Sequence, residues 1–109
     1  MANQFVTHFI EEFRNTTHIE AIEDVFMNGY CFYFSVILHE ACTQAAIESE
    51  MTYIPVYNHF CCRVEDQLYD VKGVITDPDM IRLAQPWEYY KVYEPIESDR
   101  IFDQCILKL

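Results

Sequence analysis

The sequence predicts an α+β fold, N-terminal helices packed on a small antiparallel sheet, and two changes of pattern carry that expectation. Apolar residues in the first third recur at helical spacing, whereas from Met51 onward the period becomes two and β-branched and aromatic residues dominate. The composition supplies a core for both: 51% of the 109 residues are apolar and 16% are aromatic. A chain of this length removes roughly two-thirds of its extended surface from water on folding, so residues 1–109 are expected to form a single domain.

The first helix is read from Phe5, Phe9 and Phe13 at four-residue spacing, with Val6 and Ile10 beside them. Thr17-His18-Ile19-Glu20 is a capping box that predicts a second helix carrying Ile19, Ile22, Val25 and Phe26 inward, and Asn28-Gly29 supplies left-handed residues that stop it. A third helix is expected from about Cys31 to Ala46, with Phe34, Ile37, Leu38, Ala41 and Cys42 facing the core. Thr52 to Val64 then reads as one long strand, or two joined near Tyr57-Asn58, and a short turn at residues 65 to 67 returns the chain through Leu68 to Lys72. Gly73 ends or kinks that strand. Asp77 as N-cap and Pro78 at the first helical position open a short helix through Leu83 that Pro86 closes. Trp87 to Tyr93 alternates as a strand, and Ser98 caps a last helix with Ile101, Phe102, Cys105 and Ile106 facing the body.

Seven basic residues stand against eighteen acidic ones, a net charge of −11 with histidines neutral. Such a surface repels phosphate, which disfavours direct nucleic-acid or anionic-membrane binding and favours a protein partner with a basic surface. The five cysteines are odd in number, and Cys61 and Cys62 are strand neighbours whose side chains point apart, so no disulfide framework is implied. With no charged leader and no apolar run of about 18 residues, a reducing cytoplasm is the expected location, the host's if the chain is phage-encoded.

Cys31 follows a helix-stopping Asn-Gly and opens an apolar helix, where free backbone N–H groups and the helix dipole favour an anionic sulfur. The same helix end offers the Cys31 N–H to an oxyanion formed by attack on a carbonyl. His59 shares a strand face with Tyr57, Cys61 and Arg63, while Phe60, Cys62 and Val64 form the core face. In the returning strand Tyr69 and Val71 must join the core face, which an even-length turn delivers, so Asp70 joins the face of His59, opposite Cys61 or Arg63. There it is near enough to accept the His59 ring N–H, as the third member of a triad does. Taken singly, Cys31 reads as a core thiol, His59 as a strand histidine and Asp70 as a solvated charge; their order and local contexts make them a candidate cluster.

Other residues suggest less. His8, His18 and His39 have no ligand partners at matching spacing, adjacent Cys61 and Cys62 do not suit one zinc ion, and no glycine-rich phosphate loop occurs, so no metal or cofactor is expected. Tyr89, Tyr90 and Tyr93 either line a groove or pack on the sheet.

At Asn28-Gly29-Tyr30-Cys31, Asn58-His59-Phe60 and Leu68-Tyr69-Asp70-Val71-Lys72-Gly73 the chain resembles small phage- and prophage-encoded proteins that look like papain-like or transglutaminase-like folds. The likeness covers about residues 28–73. It implies a papain-like or transglutaminase-like core with Cys31 as nucleophile, His59 as base and Asp70 as orienting residue. Such scaffolds also occur as inactive binding proteins.

Two functions are therefore expected from different classes. One is a thiol-dependent amide hydrolase or acyl transferase acting on a protein substrate. The other is a small acidic phage-type interaction protein that inhibits a host factor, such as a nucleic-acid-binding defence complex, by presenting carboxylates as DNA presents phosphates.

Overall fold

The computed structural model describes residues 2–16 and 31–105. Helices α1 (Ala2–Thr16) and α2 (Cys31–Gln44) precede strands β1 (Ser49–Ile54), β2 (His59–Val64), β3 (Gln67–Asp70) and β4 (Gly73–Val74). A short helix α3 (Pro78–Leu83), strand β5 (Gln85–Pro86) and helices α4 (Trp87–Tyr93) and α5 (Pro95–Cys105) follow. The strands lie in the order β4-β3-β2-β1-β5 with every neighbouring pair antiparallel. The result is a compact α+β fold. The expected capping box and second helix, and Asn28-Gly29-Tyr30, lie outside the described residues.

Helix α1 buries Val6 and Ile10 and lays Phe5, Phe9 and Phe13 half-buried beside them. Helix α2 buries Cys31, Phe34, Ser35, Leu38 and Cys42, a stripe set by the 3.6-residue turn. Ile37, expected in the core, is 40% exposed, because it sits roughly 100° around the helix from that stripe's centre.

The long strand segment is two strands. β1 and β2 pair from Ser49↔Val64 to Ile54↔His59, joined by residues 55–58, of which Asn58 takes the left-handed conformation at φ 49°. A two-residue turn, Glu65-Asp66, joins β2 to β3 with Val64↔Gln67, Arg63↔Leu68 and Cys62↔Tyr69 in register. Its length is even, as the apolar alternation requires. The strand from Leu68 stops at Asp70 rather than Lys72, and Gly73 at φ 117° opens β4.

Tyr69 and Val71 are buried with Cys62, Val64, Phe34 and Leu38 on the face that α1 and α2 cover. The opposite face, that of His59 and Cys61, is also closed. Ile54, Cys61, Leu68 and Ile75 form a second cluster against Met80, Leu83 and Ala84, because the segment carrying α3 crosses the sheet there. That helix is capped as expected, Asp77 Oδ1 accepting the Asp79 N–H at 2.9 Å.

Trp87 to Tyr93 is a helix, not a strand. Its buried residues are Trp87 and Tyr90, three apart, and Tyr89 and Tyr93, four apart, bring their ring centroids to 5.4 Å. Packing of Trp87 and Tyr90 against Tyr53 overrides the β propensity of an aromatic-rich heptapeptide. Helix α5 starts at Pro95 rather than at Ser98, which lies inside it, buried, donating its N–H to the Glu94 carbonyl. Among the described residues no helix is long and apolar enough to cross a membrane.

A candidate Cys-His-Asp site

Cys31 opens the described part of α2. Its side chain lies in an aromatic cluster with Tyr53, Phe60, Trp87 and Tyr90, closed by Ile101. His59 is the first residue of β2 and Asp70 the last of β3. Continuing the register of Cys62↔Tyr69 by one residue sets Asp70 against Cys61, two residues from His59 on the same face.

The side chains close that separation. Asp70 Oδ2 lies 3.1 Å from His59 Nε2, and Asp70 Oδ1 accepts the Lys72 backbone N–H at 2.8 Å. Each carboxylate oxygen thus has its own donor, and the Asx turn through Lys72 fixes the plane of the group. The Cys31 side chain is close enough to the ring to help raise the His59 pKa. With Nε2 given to Asp70, Nδ1 is left for the sulfur. The three residues named from the sequence are therefore brought together in one chain of contacts, each no more than 5% exposed.

Burial alone would lower the His59 pKa. The hydrogen bond to Asp70, the nearness of Cys31 and the charges of both outweigh it and push the pKa up to about 9. The ring consequently holds its proton at neutral pH. The neighbouring thiols are different: burial raises Cys61 far above the ordinary thiol value, raises Cys62 to about 12 and raises Cys42. Cys61 and Cys62 point into opposite core clusters, as adjacent strand residues must.

The remaining histidines stand apart from this cluster. His8 is exposed, His39 Nδ1 lies 2.7 Å from Ser49 Oγ, and His18 lies outside the described residues. Among the described residues no group of three or more His, Cys, Asp or Glu side chains is arranged to hold a metal ion. A surface cleft of about 360 Å³ runs between α1 and the β3–β4 turn, lined by Arg14, Lys72 and Gly73 among others, and does not include Cys31 or His59.

Sequence reasoning missed the aromatic wall around Cys31 and the backbone clamp on Asp70. Tyr53 has the strand parity of the core face, a usable signal, and Asp-x-Lys is compatible with an Asx turn. Trp87 lies on a helix rather than the expected strand, and there it joins the cluster that holds Cys31.

A family model described as phage YunG-like protein matches residues 6–101 of the chain, a span that includes Cys31, His59 and Asp70. The match supports a small phage-encoded protein. No curated protein and no solved structure matches the chain.

Proposed function

The chain belongs to the phage YunG-like protein family, and from that membership and the Cys31–His59–Asp70 contacts we propose a thiol-dependent amide-hydrolysing or acyl-transfer domain with a papain-like or transglutaminase-like core. The observation that carries the reading is the continuous contact from Cys31 through His59 to Asp70 at the start of an apolar helix. One isolated cysteine or histidine supports little; a nucleophile, a base and a group orienting the base support a reaction class.

In this reaction the Cys31 sulfur, as the thiolate beside the already protonated His59 ring, attacks the carbonyl carbon of a protein substrate. The carbonyl electrons move to oxygen, and the Cys31 backbone N–H stabilises the oxyanion. Collapse breaks the carbon–nitrogen bond as the leaving amine takes the proton from His59, leaving a thioester. Water or a second amine, deprotonated by the now neutral His59, then releases the acyl group and restores the thiolate beside the protonated ring. Asp70 holds the ring so that Nδ1 serves the sulfur throughout. The free thiols of Cys31, Cys42, Cys61 and Cys62 suit action in a reducing cytoplasm.

A second reading rests on the surface. Tyr89, Val92, Tyr93 and Ile96 are exposed within eight residues, Glu94 and Asp99 lie exposed beside them, and the net charge is −11. That combination supports a non-catalytic inhibitor of a basic host factor.

One experiment separates the two. The purified protein is incubated with a panel of peptide amides, with hydroxylamine as an alternative acyl acceptor, and products are read by mass spectrometry. Turnover is expected from the wild type and none from Cys31→Ala or His59→Ala. In Asp70→Asn the amide oxygen stays on the Lys72 N–H and the NH2 turns to Nε2. That forces the ring proton onto Nδ1 and slows turnover by roughly 10²- to 10⁴-fold in a folded protein. A biological effect that survives in folded Cys31→Ala, and weakens with salt and with Glu94→Lys, overturns the enzyme reading.

A further inference from the structure

We propose that Tyr53 and Asn58 act as a pair of positioning residues that fix His59 against Cys31; the proposal rests on the reading of the site given above. The Tyr53 hydroxyl donates to Asn58 Oδ1 at 2.5 Å, across the mouth of the β1–β2 hairpin. Asn58 immediately precedes His59, so the bond holds the backbone from which the histidine projects.

Three further observations give the bond this role. The Tyr53 ring is 3% exposed and belongs to the same cluster as Cys31, with its centroid 4.9 Å from Phe60 and 5.5 Å from Tyr90. One side chain therefore forms part of the wall around the sulfur with its ring and grips the residue before the base with its hydroxyl. Next, Asn58 is at φ 49°, a conformation that asparagine adopts more readily than most residues, and its side chain reaches back to the Tyr53 hydroxyl. Last, His59 is the terminal pair of the ladder, opposite Ile54, with only turn residues before it. A terminal strand residue frays unless something beyond it is held. The Tyr53–Asn58 bond adds such a restraint to the turn in which the Asn58 N–H donates to the Pro55 carbonyl at 3.3 Å. Loosening it lets the imidazole move away from the sulfur without unfolding the sheet.

The test reads the Cys31–His59 contact directly. Alkylation of Cys31 by iodoacetamide is followed by mass spectrometry from pH 5 to 10, together with the His59 ring-proton titration by NMR and a thermal melt. Tyr53→Phe keeps the ring and removes the hydroxyl. It is expected to slow Cys31 alkylation about tenfold, the scale of one hydrogen bond, and to move the His59 titration down from about 9. Asn58→Gly keeps the positive φ and removes the acceptor, and should give the same loss. Asn58→Asp keeps an acceptor and should stay within about twofold of wild type. The double variant Tyr53→Phe/Asn58→Gly should be no slower than either single one, because the two remove one bond. The proposal is overturned if folded Tyr53→Phe and Asn58→Gly both alkylate and titrate as wild type while His59→Ala is slowed. If His59→Ala alkylates at the wild-type rate, the site reading itself has failed.

Discussion

His59 Nε2 stands 3.1 Å from Asp70 Oδ2, and the two residues are only 4% and 5% exposed. A buried pair of this kind raises the histidine pKa in the folded state alone, which couples protonation to stability. Folded His59 titrates near 9, whereas an unfolded histidine titrates near about 6.5. Below the unfolded value both states hold the proton and the stabilisation is complete. As pH rises past it the unfolded chain releases its proton while the folded one does not, so the advantage declines and is gone above the folded value.

Urea unfolding should accordingly show stability falling between about pH 6.5 and 9, with a slope of at most about 1.4 kcal/mol per pH unit from this residue. His59→Gln should flatten that limb. A wild-type stability that rises through the same window, with the variant unchanged, would contradict the assignment of the pair.

Thiol reactivity should be sharply ranked. Burial raises the pKa of Cys42, Cys61 and Cys62, all fully buried, whereas Cys31 lies at a helix start in contact with the His59 ring. Limited alkylation at neutral pH is therefore expected to label Cys31 ahead of the other three by at least about tenfold, and peptide mapping reads the order. Cys31 appearing with the slow group would remove it as a nucleophile.

The helical state of α4 has its own consequence. In a strand Trp87 would share a face with Tyr89 and Tyr93; in the helix it shares burial with Tyr90. Tyr90→Ala should cost about 3 kcal/mol, and Tyr93→Ala, 73% exposed, no more than about 0.5 kcal/mol. Chemical denaturation of the two variants decides it, and a larger loss for Tyr93→Ala than for Tyr90→Ala would argue for the alternating arrangement.

Local pattern was enough for the parts of this protein that depend on one segment or one turn. Apolar alternation placed Tyr69 and Val71 on one face and Asp70 with His59 on the other, because a two-residue period and an even turn leave a single register that buries the aromatic side. Asp77-Pro78 announced its helix because an N-cap and a proline at the first position are chemical requirements of that local geometry.

Long-range packing settled what remained. Trp87 and Tyr90 became helical because their rings meet Tyr53, a contact no seven-residue window contains. The face of His59 is closed by the segment around Ile75, Met80 and Leu83, so the histidine and the aspartate that alternation sets off the core face meet in a buried one. The influence of Cys31 on the His59 ring spans 28 residues of sequence, from α2 to the start of β2. Residue type and order made those two side chains candidates, but their meeting follows from how α2 lies on the sheet, which depends on the whole core.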